Sequence, residues 1–120
     1  MNHEEEREYI WEHKGQLVHL YGRDIYYIHL QERIVYAHTR HQTYAISMSM
    51  NELEEQLKGQ LFIRTHYSYL VHIRHLVVLR CGEILLRNGE SVPVSKSRRQ
   101  QVVERVNGYF RQLENCLKLG

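Results

Sequence analysis

Short stretches of alternating apolar and polar residues, divided by turn residues, run through most of this 120-residue chain. In the first half they are "YIWEH", "QLVHLY", "DIYYIHL", "IVYAHT" and "TYAIS", each rich in β-branched and aromatic side chains. They are separated by Lys14-Gly15, Gly22-Arg23-Asp24 and the polar stretches 31–33 and 39–42. An alternation with a period of two is typical of half-buried strands. The pattern therefore predicts short strands in hairpin-like succession.

One segment, "MSMNELEEQLKGQ", interrupts this rhythm. Met50, Leu53 and Leu57 recur in it at helical spacing, and Ser49 or Asn51 can cap the first turn. Its glutamates suit the positive end of a helix. A short amphipathic helix is therefore predicted in the middle of the chain.

Strand chemistry resumes after Gly59, in "LFIRTH", "YSYLVHI", "LVVLR", "EILLR" and "SVPVS". Cys81-Gly82 and Asn88-Gly89 are the expected turns, and Asn-Gly is a strong hairpin signal. We therefore expect a mostly β fold of short antiparallel strands with one short internal helix and one helix at the C-terminus.

The C-terminal segment changes period again from Ser97 onward. Its apolar residues recur at helical spacing and comprise Val102, Val103, Val106, Tyr109, Phe110, Leu113, Cys116 and Leu117. Ser95 or Ser97 can cap this helix, and its apolar stripe either lies on the sheet or pairs with a second copy. Gly108 weakens a helix by about 1 kcal/mol relative to Ala, and is expected to mark the start of an extension.

The length of the chain suits one compact domain. No run approaches the roughly 18 to 20 apolar residues of a membrane helix, and the acidic opening "MNHEEEREY" is unlike a signal peptide. We therefore expect a cytoplasmic protein without membrane insertion.

Cys81 and Cys116 form no CxxC pair, which argues against a disulfide framework or a thiolate zinc site. Both are expected to be reduced and structural.

The formal net charge of +2 hides an uneven distribution. Residues 1–59 carry six Lys/Arg against ten Asp/Glu, whereas residues 60–106 carry eight against three. A positive face of this kind suits a polyanion, because the local field governs steering and affinity more than the net charge does. Solvated surface charge gives the same pattern, so charge alone leaves both interpretations open.

The stretch "FIRTHYSYLVHIRHL" in the basic half has strand chemistry but carries several cations. We expect Phe62, Tyr69 and Val71 to enter the core, while Arg64, His66 and Ser68, which keep one parity, share an alternate face. On that face His66 either donates to a phosphate or is a buried structural residue. Both roles stay open at this stage.

The nine histidines raise the question of a metal or catalytic site. His66 and His72 would share a side of one strand, but His75 would lie on the other, and no HExxH, CxxC or paired acidic set supplies a further ligand. No GxSxG or Gly-rich phosphate loop is present either. The sequence therefore predicts neither an enzyme nor a metal or cofactor site.

Cations instead collect where elements end. Arg33 lies between two predicted strands, Arg64 borders the stretch just described, and "PVSKSRRQQ" adds Lys96, Arg98 and Arg99 where strand gives way to helix. Short connections held by a rigid sheet are suited to entering grooves. The arginine fork can donate twice to guanine or to a phosphate. A nucleic-acid module is therefore one hypothesis, and simple solvation of the turns is the other.

The order of motifs resembles the LytTR family of bacterial DNA-binding domains, which usually lie at the C-terminus of response regulators. The segments concerned are "GRDIYYIHLQERIVYAHT", "MNELEEQL", "FIRTHYSYLVHIRHLVVL" and "GEILLRNGESVPVSKSRRQQVVERV". The most specific part is F-x-R-x-H-x-S-Y-x-V followed by P-V-S-K/R, and the resemblance covers Tyr9 to Val106. It implies an elongated β fold whose loops enter successive major grooves of promoter DNA.

Carried over by position, the resemblance implies that Arg33 and Lys96 read or clamp DNA from the early and the last loop. His66, Tyr67 and Ser68 match the central segment near the DNA backbone, and Arg64, Arg98 and Arg99 complete the predicted DNA-binding set. Three residues depart from the family pattern: Tyr67, where a polar or basic residue is commoner; His72, where Asn is frequent; and Lys96, where Arg would provide a fork.

The sequence thus predicts a promoter-binding transcription regulator that needs no cofactor, with an acidic lead (1–8), a DNA-binding domain (9–106) and a helical extension (107–120). The runner-up is a protein-interaction module with the same fold, and the third alternative is an RNA-binding domain. Expected partners are double-stranded DNA, a second copy through the C-terminal helix, and a regulatory protein or receiver domain. A stand-alone protein is favoured over an excised fragment.

Overall fold

The computed structural model describes residues 7–119, with side chains described as far as Asn115. The strands are β1 (Glu8–His13), β2 (Gln16–Tyr21), β3 (Ile25–Gln31), β4 (Ile34–Thr39), β5 (Thr43–Ile46), β6 (Phe62–His66), β7 (Tyr69–His72), β8 (Leu76–Arg80), β9 (Glu83–Leu86) and β10 (Ser91–Pro93). The helices are α1 (Met50–Gln56) and α2 (Arg99–Leu119), and short 3-10 turns span Gly22–Asp24, Ile73–His75 and Lys96–Arg98.

The described strands form three antiparallel sheets. β1 and β2 make a two-stranded ribbon, β5-β4-β3-β7-β6 make a five-stranded sheet, and β10-β9-β8 make a three-stranded sheet. The molecule is elongated, with extents of 47 × 33 × 26 Å. This architecture confirms the predicted mostly β fold with short antiparallel strands, one short internal helix and a C-terminal helix.

Local sequence signals explain the turns and the start of α1. The Asn88-Gly89 turn places Gly89 at φ +88°, a conformation that costs glycine little. Ser49 caps α1: its hydroxyl accepts from the Glu52 amide at 3.0 Å, and the Glu52 carboxylate accepts from the Ser49 amide at 2.9 Å. These bonds hold the pKa of Glu52 below its ordinary value.

Two hydrophobic clusters lie on opposite faces of the five-stranded sheet. The first joins the β1–β2 ribbon, α1 and one face of the sheet, and includes Trp11, Leu53 and Phe62. The second joins the other face, the three-stranded sheet and α2, and includes Val71 and Val102. Because apolar elements cover both faces of β6 and β7, these strands are buried on two sides instead of one.

The predicted facing of residues 62–71 is therefore wrong. Phe62 belongs to the first cluster, whereas Val71, with Tyr69 packed against it, belongs to the second. A bulge between Arg64 and His66 also shifts the register, so that sequence parity does not carry across it.

The C-terminal helix confirms the predicted period and corrects its start. Residues 96–98 form a 3-10 turn before α2 begins at Arg99, and no side-chain cap forms at Ser95, whose buried hydroxyl has no hydrogen-bond partner among residues 7–119. Val102 and Val106 pack on the domain, whereas Phe110 and Leu113 are about two-fifths exposed. The helix continues through Gly108 without a break.

The predicted structural role of Cys81 is wrong. Cys81 lies exposed in the turn between β8 and β9. Turn positions face solvent because their backbone has few ladder partners, so this thiol contributes little to packing. The side chain of Cys116 lies outside the described residues.

Candidate nucleic-acid interface

Three connections meet at one end of the five-stranded sheet, and two of them carry exposed or half-buried cations. β3 and β7 are antiparallel neighbours, so the turn after Gln31 and the turn before Tyr69 lie at the same end. The Leu30 amide donates to the Ser68 carbonyl at 3.0 Å, and the Ser95 amide donates to the Thr65 carbonyl at 2.8 Å. We call this edge, formed by residues 31–33, 67–68 and 95–99, the Arg33 end.

The β3–β4 turn holds Arg33 in an unusual backbone conformation. Gln31 pairs with Ile34, which leaves Glu32 and Arg33 as a two-residue turn with φ values of +51° and +72°. Two positive φ values define the hairpin turn that glycine and asparagine normally occupy. Arg33 is exposed, and no hydrogen bond or ion pair to it occurs among residues 7–119. Its side chain therefore projects from a tight, non-glycine turn.

Arg64 does not lie on an exposed face, contrary to the prediction. It is only 6% exposed. Its Nε donates to the carbonyls of His66 (3.0 Å) and Tyr67 (3.2 Å), Nη1 donates to Asn51 (3.2 Å) and Glu54 (2.8 Å), and Nη2 also donates to the Tyr67 carbonyl. The guanidinium is thus committed within the protein, where it ties the β6–β7 turn to α1.

The β6–β7 turn that Arg64 supports presents an aromatic ring and an imidazole. Tyr67 is 69% exposed. The Ser68 amide donates to His66 Nδ1 at 3.0 Å, so the proton of a neutral His66 ring is on Nε2. His66 is half-buried and packs edge-on to Tyr69 with 5.7 Å between ring centroids. The ring is therefore oriented by the backbone while its Nε2 keeps a donor.

The third connection brings cations to the start of α2. Lys96 is exposed, Arg98 and Arg99 are half-buried, and the first turn of α2 contains no acidic residue. A helix N-terminus carries a positive partial charge, so this segment combines side-chain and backbone potential of one sign. Arg99 Nε and Thr65 Oγ1 are buried without hydrogen-bond partners among residues 7–119.

A row of stacked histidine and tyrosine rings covers the sheet face next to this end. His29 stacks on Tyr69 and Tyr27 stacks on His38, each pair with 4.1 Å between centroids. Burial lowers the pKa of His29, with the neighbouring His66 adding to the effect. Burial likewise lowers the pKa of His38, against the opposing effect of Glu90. The free protein therefore keeps these two rings neutral near neutral pH.

Tyr27 links this face to the three-stranded sheet. Its hydroxyl donates to Glu90 Oε2 at 2.9 Å, and burial together with this carboxylate raises its pKa well above the ordinary range. Sequence reasoning did not identify the stacked row. The period-two recurrence of aromatic and imidazole rings at positions 27/29 and 36/38 was the signal available.

His72 has a structural role, which the sequence left open. It is 2% exposed, and its Nδ1 accepts from the Arg74 amide at 3.2 Å, which caps the 3-10 turn Ile73–His75. Burial lowers its pKa to about 3, and the nearby His75 adds to this. Within residues 7–119 no three His, Cys, Asp or Glu side chains approach closely enough to hold a metal ion.

Comparison with known proteins identifies the family. Residues 15–107 match the model of the LytTr DNA-binding domain. The chain belongs to the LytTr DNA-binding domain family. This family is defined by DNA binding, so DNA is the partner that membership implies. Neither helix in the described part of the chain has a stretch apolar enough to cross a bilayer.

Two similar proteins are informative about extent and fold. A sensory transduction protein LytT from Enterococcus faecalis is 30% identical over 79 residues, which cover 62% of this chain and 33% of that protein. The chain therefore matches about one third of the length of this relative. The LytTr domain of a Bacillus cereus protein described as a methyl-accepting/DNA response regulator has the same fold, with a TM-score of 0.66 at 23% identity over 88% of this chain and 94% of that one.

Proposed function

We propose that this LytTr domain binds double-stranded promoter DNA sequence-specifically and regulates transcription, with the Arg33 end as its interface. The observation that supports this most strongly is the convergence of three connections at one end of a rigid sheet, two of them tied to neighbouring backbone by hydrogen bonds of 3.0 and 2.8 Å. The cations on them differ in exposure and therefore in role.

Arg33 is the proposed reader of base edges. It is exposed on a narrow hairpin, and its planar guanidinium can donate to O6 and N7 of one guanine in the major groove. Lys96, also exposed, is the second proposed reader, but its ammonium is a point charge without a fork and discriminates less between bases.

Phosphate contacts are proposed for the remaining cations and for the central turn. Arg98 and Arg99 lie beside the positive N-terminus of α2, which favours a backbone phosphate. Tyr67, the Ser68 hydroxyl and His66 Nε2 supply hydrogen-bond donors from the β6–β7 turn. Arg64 is proposed as a positioning residue, because its N–H groups donate to the carbonyls of that turn and not to DNA.

A selection from a random duplex library with the full chain tests this function. We expect one enriched motif for the wild type, and an Arg33→Gln selection that loses information at one or two adjacent positions of that motif. Loss of affinity without any change in the motif would contradict base reading by Arg33. A library without enrichment, together with equal affinity for all duplexes, would contradict sequence-specific binding and favour a protein-interaction module.

Two further partners are proposed for the protein in its biological setting. The match to one third of a longer relative suggests a receiver domain or a separate regulatory protein as the source of the signal. The exposed Phe110 and Leu113 on α2 suggest pairing with a second copy.

A further inference from the structure

Strand β6 forms one edge of the five-stranded sheet, with β7 as its one neighbour among the described strands. In an antiparallel pair, residues that exchange backbone hydrogen bonds alternate with residues that do not. The Ile73 amide donates to the Leu61 carbonyl at 2.8 Å, so Ile63, two positions further along, also bonds to β7. The backbone N–H and C=O groups of Phe62 and Arg64 therefore point away from β7, toward the free side of the sheet.

The other side of β7 gives the same alternation. The Leu30 amide donates to the Ser68 carbonyl at 3.0 Å, so Leu70, two positions further along β7, bonds to β3. Val71 is then the residue of β7 that bonds to β6, and its partner there is Ile63. Two separate hydrogen bonds thus agree on which backbone groups of β6 are left for another strand.

A cavity of about 280 Å³ runs along β6, between the end of α1 and the first turns of α2. Phe62, Ile63 and Arg64 form its β6 wall. No backbone hydrogen bond from α1 or α2 to Phe62 or Arg64 occurs among residues 7–119. Strand edges with unpaired backbone groups are templates for a further strand. We call this cavity the β6 groove.

The rim of the β6 groove is positively charged. Lys58 follows α1, while Arg98 and Arg105 lie on the opposite rim, about 10 Å apart along the helix axis. Glu54 is the one carboxylate among the lining residues, and it is bonded to the buried Arg64 at 2.8 Å. The side chains of Lys58 and Arg98 make no ion pair within residues 7–119. The groove therefore has an excess of positive charge.

The two long sides of the groove differ in chemistry. On the α1 side, Leu57 and Phe62 supply apolar surface from the first hydrophobic cluster. On the α2 side, the exposed Arg105 donates through Nη2 to the Gln60 carbonyl, which orients its guanidinium and leaves it further donors. The side chains of a strand alternate between its two faces. A strand in this groove is therefore matched by apolar residues at one parity and acidic residues at the other.

These features suit a peptide better than duplex DNA. A phosphate backbone has neither the amide groups that pair with a strand edge nor apolar groups for Leu57 and Phe62. An extended peptide has both, and main-chain pairing to a sheet edge is an established mode of peptide recognition.

We propose that the β6 groove binds an extended acidic segment of a partner protein, which pairs with β6 as a further strand and places its carboxylates on Lys58, Arg98 and Arg105. Peptide binding does not depend on the proposed function. Its consequence does, because Arg98 also belongs to the proposed DNA interface, so an occupied groove competes with DNA for this cation.

Fluorescence anisotropy with the full chain and a labelled alternating peptide, Val-Glu-Val-Glu-Val-Glu-Val, tests the proposal. We expect saturable binding, and Lys58→Gln and Arg105→Gln should each weaken it about threefold to tenfold, as expected for one partly exposed charge-assisted contact. Arg33→Gln is the matched control, since it removes a guanidinium outside the groove and should leave the titration unchanged. Unchanged thermal midpoints would show that the variants remain folded.

Two modified peptides separate strand pairing from attraction between charges. In one, the amides of the valines are N-methylated, and in the other those of the glutamates. Each set removes the donors along one edge of the extended peptide and keeps every carboxylate, because alternate residues direct their N–H groups to opposite edges. We expect one set to abolish binding and the other to leave most of it.

Three results would overturn the proposal. The first is the absence of saturation by the unmodified peptide. The second is equal affinity of the two N-methylated peptides, which would exclude pairing along one edge. The third is a loss of duplex affinity in Lys58→Gln and Arg105→Gln without any loss of peptide binding, which would assign the rim to the DNA backbone.

The competition is measured separately. Saturating peptide should lower the affinity of the full chain for the selected duplex, and full duplex affinity in its presence would overturn the sharing of Arg98. Because Lys58→Gln and Arg105→Gln should leave duplex affinity unchanged, failure of the peptide site is distinguishable from failure of the proposed DNA interface.

Discussion

At the scale of single residues, Arg33 combines an unfavourable backbone with an exposed side chain. Its φ of +72° belongs to a region that side-chain-bearing residues avoid, and glycine there would relieve roughly 0.5 to 1 kcal/mol. We expect Arg33→Gly to raise the free energy of unfolding by that amount in urea titrations. The same variant should lose about 1 to 3 kcal/mol of affinity for the selected duplex.

Arg33→Gln separates these two effects. It keeps the strained backbone and removes the charge, so it should retain wild-type stability and lose affinity as Arg33→Gly does. An Arg33→Gly protein that gains stability and keeps full affinity would remove Arg33 from the interface.

Arg64 illustrates a cation whose importance comes from burial. Replacing it with Met leaves the carbonyls of His66 and Tyr67 without their donors, and should lower the free energy of unfolding by about 2 to 4 kcal/mol. Glu54→Gln is the control. Its carboxylate is nearly half exposed, so the cost should stay below about 1 kcal/mol. An Arg64→Met protein of wild-type stability that fails to bind DNA would instead indicate direct contact.

The burial of His72 makes stability depend on pH. The pKa of His72 is about 3 in the folded chain, against an ordinary value of 6.5 for the unfolded chain. Between these two pH values the unfolded chain binds a proton that the folded chain does not. The free energy of unfolding should therefore fall as the pH drops below about 6.5, by about 2 kcal/mol at pH 5 from this residue alone. Urea titrations at a series of pH values measure the slope.

His72→Asn provides the comparison, because an amide oxygen can accept the same bond from the Arg74 amide without titrating. The dependence of the free energy of unfolding on pH should become shallower in this variant, because about one proton fewer is taken up on unfolding. His29, His38 and His75, whose pKa values are also lowered, should maintain the remainder. Identical slopes for the two proteins would show that His72 stays unprotonated in both states or protonated in both.

At the scale of elements, α2 changes its environment along its length. Val102 and Val106 are buried in the domain, but Phe110 and Leu113, which follow at the same period, are exposed. We expect sedimentation equilibrium of the full chain to show a concentration-dependent dimer. The double change Phe110→Ser and Leu113→Ser should abolish it, because exposed apolar surface on a helix is stabilised by a partner.

The matched control is Val77→Ser, which removes an equally exposed apolar side chain from β8 and should leave the mass unchanged. A monomer at all concentrations for the unmodified chain would contradict pairing through α2.

Elements were predictable where the signal is local. The Asn88-Gly89 turn, the Ser49 cap and the period of α2 depend on a few adjacent residues, and the structure has all three. Alternation places Phe62 and Arg64 on one face of β6, as the structure has them, so it did not support the predicted facing. That both faces of β6 and β7 are buried was not predictable, because α1 and α2 cover opposite sides of these strands from distant parts of the chain. The bulge at Arg64 then broke the parity that remained.

The same distinction applies to the candidate site. The sequence shows that cationic residues lie at the ends of several strands. Tertiary contacts decide which of these side chains are exposed. Arg33 and Arg64 have the same side chain and both border strand ends, yet one is exposed and the other is engaged by four different residues. Arg23 and Arg74, which lie 51 positions apart in sequence, line one cavity at the opposite end of the sheet, a proximity that no local pattern reveals.

At the scale of the whole molecule, the position of each cation predicts how DNA affinity depends on salt concentration. Neutralising Arg98 or Arg99 should weaken binding to all duplexes and flatten the dependence of log affinity on log salt by about one unit each, because each phosphate contact releases about one counterion. Binding isotherms at several salt concentrations give this slope. Arg40→Gln, at the other end of the sheet, should leave the slope as it is in the wild type, and a flattening there would extend the interface around the molecule.

The bonds from Leu30 to Ser68 and from Ser95 to Thr65 fix the β6–β7 turn to the strand that leads to Arg33, and the Lys96 connection to β6. Because these contacting turns are fixed relative to one another, the DNA must deform to meet them when the two bind. Target sites should then favour easily deformed pyrimidine–purine steps between the two contacted segments. Part of the sequence specificity would come from the deformability of base pairs that no side chain contacts.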